Sequence, residues 1–251
     1  MKFVKLSRAR THECMRSARE ERAKEAIMCL KLSGHELSKG YILDLGCGPG
    51  FITNYLISRG MRTVGLDLSK KPLFKAKVNN PTVDLVLASG VKLPFRENIF
   101  YTIILNDVLE HVSYKDAEPM LKQIRNGLEP NGKLYISVAN KYQIREPHTL
   151  LLFGTWLPRR IYNPVIKSYH SGIPVYPYTV GRLKQLCEKT GFSHENYTWF
   201  YARKKLLKLD YIKNRLARKI IALLKKIILM NNLLNKIVEQ FSVILFVCAR
   251  N

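Results

Sequence analysis

Three glycines, Gly46, Gly48 and Gly50, interrupt the chain directly behind a short apolar run, Tyr41-Ile-Leu-Asp-Leu45. A run of that length halted by glycine predicts a strand entering a tight turn. Phe51, Tyr55, Leu56 and a closing Gly60 then trace a helix with a C-terminal glycine. The glycines let backbone pass close beneath a ligand, and the helix start presents unpaired N–H groups. A second acidic residue, Asp67, ends the next apolar run 23 residues after Asp44, in the position from which a carboxylate accepts both hydroxyls of a ribose.

The alternation repeats downstream. Apolar runs at 63–67, 83–88, 99–105 and 132–139 are separated by a Lys-rich helix at 69–78 and a helix at 114–127. The expected fold is therefore α/β, a doubly wound, mostly parallel seven-stranded sheet of Rossmann-like type. With 251 residues, 47% of them hydrophobic, the chain buries a real core and is not disordered. It is expected to form one domain over 1–251, with a ligand-binding core at 40–140. An amphipathic helix is expected over 12–32, with Met15, Ala18, Arg22, Ala26, Cys29 and Leu30 on its stripe. From 140 to 178 the rhythm breaks into Pro, Tyr, His and Arg-rich sequence, expected to be a loop-rich cap over a site. A helix over 179–191, with Thr179 as its N-cap, and strands at 197–201 and 241–249 complete the sheet. Five scattered cysteines without a CxxC spacing indicate neither a disulfide framework nor a zinc knuckle, and a reducing cytosol fits. No secretory signal or membrane-spanning run is read from the sequence.

The motif residues resemble the class I S-adenosylmethionine-dependent methyltransferases, and the likeness continues in order along the chain. Asp44 with Gly46, Gly48 and Gly50 is similar to the family's first motif, which holds the methionine end of the cofactor. Gly65-Leu-Asp-Leu-Ser69 is similar to the second, implying Asp67 on the ribose and Leu68 beside the adenine. Ser89-Gly-Val-Lys-Leu-Pro-Phe95 corresponds to an Asp-Ala-x-x-Leu-Pro-Phe segment, with Ser89 and Gly90 at the adenine. Asn106-Asp-Val-Leu-Glu-His-Val112 resembles the stretch after strand four, placing Asn106 at the cofactor, and Leu128-Glu-Pro-Asn-Gly-Lys-Leu134 resembles the turn before strand five. Ser89 departs from the family's Asp, which implies weaker cofactor binding rather than a different cofactor. A dinucleotide site is disfavoured because Pro49-Gly50 follows the second glycine where x-x-Gly would stand. The nearest resemblance is to type 11-like enzymes, including the polyprenyl-hydroxyphenol O-methyltransferases of quinone synthesis.

Methyl transfer to oxygen needs alignment and a proton acceptor. His111 and, in the cap, His148 are the candidate catalytic bases. Each also has a structural reading, as a loop-ordering residue and a solvated residue respectively. Asp107, Glu110 and His111 resemble the cluster of metal-assisted relatives, but the same letters occur in metal-free ones, so no metal is assigned.

The net charge of +23 predicts attraction to an anionic partner. The 203–240 segment carries apolar residues at helical period interleaved with eleven basic residues against Asp210 and Glu239. This suits an interfacial helix on an anionic leaflet, a core-facing helix with a solvated basic face, or a dimer contact. The expectation is an O-methyltransferase for a small or lipid-linked acceptor, a polyprenyl phenol or a glycan, in the cytoplasm or peripheral on the inner face of the membrane. The alternatives are an RNA methyltransferase, for which charge and the cap aromatics argue, and a cofactor-binding protein without catalysis.

Overall fold

In the computed structural model, residues 2–143, 174–199 and 243–250 are described, with Trp156, Arg160, Ile161 and Pro164; side chains are described from Met15 onward. The cap between 144 and 173, including His148, and the 203–240 segment lie outside the described residues, apart from those four positions.

The chain runs α1 (Lys2–Leu32), β1 (Tyr41–Leu45), α2 (Phe51–Ile57), β2 (Thr63–Asp67), α3 (Lys70–Asn79), β3 (Asp84–Leu87), β4 (Phe100–Asn106), a 3-10 turn (Leu109–His111), α4 (Tyr114–Gly127), β5 (Leu128–Val138), α5 (Val180–Lys189), β6 (Phe192–Asn196) and β7 (Ile244–Arg250). The strands form one sheet in the order β3-β2-β1-β4-β5-β7-β6. The first five are parallel and β7 is antiparallel to both neighbours. Strand order reverses between β1 and β4, the position at which an open α/β sheet leaves a crevice beyond its strand ends.

Helices cover both faces of the sheet, so its central strands read as continuous apolar runs whose side chains go alternately to two cores. Leu43, Leu45, Ile103 and Leu105 join the core beneath α4 and α5, whereas Ile42 and Ile104 join the one beneath α1 and α2. Burial of each such side chain contributes about 1.5–3 kcal/mol.

Three expectations are corrected. Helix α1 begins at Lys2 rather than near 12, because nothing before Gly34 breaks a helix: the first 33 residues hold neither Gly nor Pro. Its inward side is Ala23, Ala26, Cys29 and Leu30, while Met15 is 51% exposed. Strand β5 begins at Leu128, pairing with Phe100, before its register jumps to Lys133 against Thr102; the Glu-Pro-Asn-Gly segment lies within the strand's span instead of preceding it. Strand β6 is Phe192–Asn196 and not 197–201. Gly191, at φ +78°, ends α5 and turns the chain directly into the strand. An edge strand pairs through its backbone and buries few side chains, so this one has no apolar run to mark it; it alternates from buried Phe192 to exposed Ser193.

Candidate active site

Beyond the C-terminal ends of β1, β2 and β4 lies a cavity of about 520 Å³. Gly46, Asp67, Leu68, Ser89, Gly90 and His111 all line it, so residues spread over 66 positions of sequence meet in one place. Asp44, Gly48, Gly50 and Asn106 do not line it.

The glycine loop turns left-handed three times, with φ of 79° at Gly46, 53° at Gly48 and 75° at Gly50. Gly46 has a second constraint, since a Cβ there would meet Val108 Cγ2 at 2.3 Å. Gly48 differs: nothing lies within 4 Å of the place its Cβ would take. Its N–H donates to Asp67 Oδ2 at 2.9 Å, and the Ser69 N–H donates to Oδ1 at 2.8 Å. The Asp67 carboxylate is thus clamped between the loop and the start of α3. A carboxylate offers about four acceptor positions, so both oxygens keep lone pairs for two hydroxyls.

Asp44 is almost wholly buried, and its Oδ2 accepts the Thr53 hydroxyl at 2.6 Å. Burial pushes its carboxyl up to about 6, against the opposing pull of the Thr53 hydroxyl and the Arg19 charge. It ties β1 to the first turn of α2 and does not line the cavity. Cys47 beside it has its thiol raised, chiefly by burial and then by the Asp44 and Asp67 charges, so it is not a thiolate nucleophile. Ser89 Oγ accepts the Val91 N–H at 3.3 Å, a turn contact within the cavity wall.

The end of β4 gathers several buried or constrained polar groups. Asn106 is 5% exposed and, among the described residues, neither its amide oxygen nor its nitrogen has a hydrogen-bond partner, an uncommon and costly state for a buried amide. Asp107 follows in the left-handed region at φ 53°, held by Ser137, whose hydroxyl donates to Oδ1 at 3.1 Å. Its other oxygen meets two guanidinium groups of α1, Arg19 at 3.1 Å and Arg22 at 3.8 Å. These partners lie 88 and 85 positions away in sequence, and no local spacing signals them. Glu110 is 1% exposed; burial and the Asp107 charge raise its carboxyl well above the usual range, opposed by the Ala139 N–H. His111 closes the 3-10 turn, its N–H on Val108 O at 2.9 Å. Among the described residues, no group of three His, Cys, Asp or Glu converges to hold a metal ion.

The protein-family model described as a methyltransferase domain matches residues 43–136. An uncharacterised protein of Methanocaldococcus jannaschii is 35% identical over 112 residues, 45% of this chain and 47% of that protein. A ubiquinone biosynthesis O-methyltransferase of Pelagibacter ubique is 32% identical over 117 residues, again 45% and 47%. The chain spans about half the length of these curated relatives. Among solved structures, an S-adenosylmethionine-dependent methyltransferase of Mesorhizobium loti shares the fold with a TM-score of 0.57 and 19% identity, over 86% of this chain and 93% of that one. A phosphoethanolamine N-methyltransferase of Haemonchus contortus, solved with S-adenosylhomocysteine, does so at 0.55 and 19%, over 90% and 52%. Residues 43–136, with their ordered motifs and the strand order around them, match the methyltransferase domain family, and the sheet that holds them shares its fold with S-adenosylmethionine-dependent methyltransferases.

Proposed function

We propose that this chain transfers a methyl group from S-adenosylmethionine to an oxygen of a small or lipid-linked acceptor, a polyprenyl phenol, quinol or glycan, near a membrane surface. The observation that carries the cofactor half is the clamped Asp67 carboxylate at the rim of the cavity, with Gly46, Leu68, Ser89 and Gly90 around it. The oxygen acceptor is supported by the Pelagibacter relative, named for O-methylation in ubiquinone biosynthesis. The membrane context is supported by the basic, apolar-striped 203–240 sequence. No helix among the described residues is long and apolar enough to cross a membrane.

The residues present fit the cofactor. Asp67 accepts the two ribose hydroxyls, and Leu68 and Ala88 give the adenine apolar contact. Gly48, with open space above its α-carbon, admits close approach of the methionine portion. Bound there, S-adenosylmethionine supplies a methyl group on a positively charged sulfur, open to in-line displacement. The protein's part is to orient the acceptor oxygen on that line and to remove its proton. His111, on the cavity wall next to the end of β4, accepts that proton, with His148 of the cap as the other candidate base. Asp107, fixed by Arg19 and Ser137, lines the same cavity wall as His111.

Calorimetric titration with S-adenosylhomocysteine tests the cofactor half, and absence of binding by the wild type refutes it. Lipid and glycan extracts from cells with and without the protein test the acceptor half by mass spectrometry. The expected result is one species lacking a single CH₂ in its absence. With that acceptor, His111→Gln lowers kcat by about 10²–10⁴ while leaving cofactor affinity intact.

A further inference from the structure

The outward side of α3 carries an apolar pair that the fold leaves bare. Leu73 and Ala76 are the helix's buried residues, and at about 100° per residue Lys71, Phe74, Lys75 and Val78 fall on the opposite side. Phe74 is 70% and Val78 64% exposed. Lys70 stands at the same end, and no acidic residue occurs between Asp67 and Asp84. Among the described residues, no carboxylate pairs with Lys70, Lys71 or Lys75.

An acidic protein or nucleic acid would use the charge and gain little from an aromatic and a valine set between the lysines. A layer of anionic headgroups with hydrocarbon just below it uses both. The position is apt as well. Leu68, Ser69 and Pro72, at the start of the same helix, line the cavity, so a surface that seats α3 also meets the cavity's rim.

We propose that α3 is a docking surface for anionic phospholipid bilayers, with Phe74 and Val78 entering the acyl boundary and Lys70, Lys71 and Lys75 on the phosphates. This site is distinct from the 203–240 segment, and it rests on the functional reading above only in bringing the cavity to a lipid-linked acceptor.

The test is co-sedimentation of the full chain with vesicles of phosphatidylcholine alone or mixed with phosphatidylglycerol. Binding is expected only to the mixed vesicles. Lys71→Ala with Lys75→Ala lowers partitioning about twenty-five-fold, at about five-fold per lysine. Phe74→Ala with Val78→Ala, which leaves the charge untouched, lowers it about ten-fold, and Phe74→Leu with Val78→Leu restores most of it. Unchanged melting temperatures show that the variants fold. Partitioning that the alanine pair leaves within two-fold of wild type overturns the proposal. So does equal binding to pure phosphatidylcholine, or a loss confined to RNA binding or self-association. Failure of the wild type to bind S-adenosylhomocysteine refutes the methyltransferase reading and leaves the vesicle result standing.

Discussion

The bodies of β1 and β4 and their C-terminal ends are built on opposite rules, although only a few residues separate them. In the bodies, Ile42, Leu43, Ile103, Ile104 and Leu105 are fully buried, and from Ile42 to Leu45 the backbone of β1 pairs in regular parallel register with β4. At the ends stand three left-handed glycines, a left-handed Asp107, a buried amide at Asn106 without partners among the described residues, and carboxyls raised by burial at Asp44 and Glu110. The bodies contribute stability, and the ends consume part of it. Strain and unmet polar capacity concentrated at one rim of an otherwise satisfied fold is what a preorganised binding site looks like before its ligand arrives.

The contrast is open to direct attack. Ile104→Ala, in the body, is expected to destabilise the fold by about 2–5 kcal/mol in denaturant unfolding. Its S-adenosylhomocysteine affinity, measured on the folded fraction, stays unchanged. A matching loss of affinity would mean that body and rim are not separable.

Asp44→Asn probes the rim through pH. The Asp44 carboxyl is raised to about 6 in the fold from about 3.9 unfolded, so the native state binds its proton more tightly. Its contribution therefore falls as pH rises from about 4 to about 6 and stays low above that. Asparagine has no such proton, so the stability of the variant relative to wild type should climb by roughly 2 kcal/mol between pH 4 and pH 7. Paired urea titrations across that range measure the difference, and a flat curve would show that Asp44 is not held at a cost.

Asp67→Ala removes a clamped acceptor while leaving the core untouched. Cofactor-product affinity should drop by about 1.5–3 kcal/mol with little change in unfolding midpoint. Calorimetry that finds wild-type affinity would take Asp67 out of the ribose role. The smallest effect is expected for Gly48→Ala, about 1–2 kcal/mol for an alanine in the left-handed region. Gly46→Ala should exceed it, because there the added carbon also meets Val108.

Much of this layout was legible because local rules and tertiary structure agree in it. The limits of β1, β2 and α4 follow from apolar runs closed by glycine or acid and from the Ser113 cap, whose hydroxyl accepts the Asp116 N–H. Motif order singles out Gly46, Asp67, Leu68, Ser89, Gly90 and His111, and they meet at one cavity. Strand β6 starts five residues before the position its sequence suggests, because a polar edge strand carries no periodic signal. The engagement of Asp44 with Thr53, and of Asp107 with Arg19 and Arg22, had no signal in the order of residues either.

By itself, then, the sequence determined the alternation of strands and helices, the loop glycines and the identity of the acidic residue at each strand end. Hydrophobic periodicity and backbone freedom are local properties, and they are written locally. The tertiary structure alone decided which charges meet and which polar groups are shut away from water. It turned Asp44 inward, set two arginines of α1 on Asp107 and left Asn106 without partners among the described residues, since burial and long-range pairing depend on where the packed sheet brings the ends of its strands.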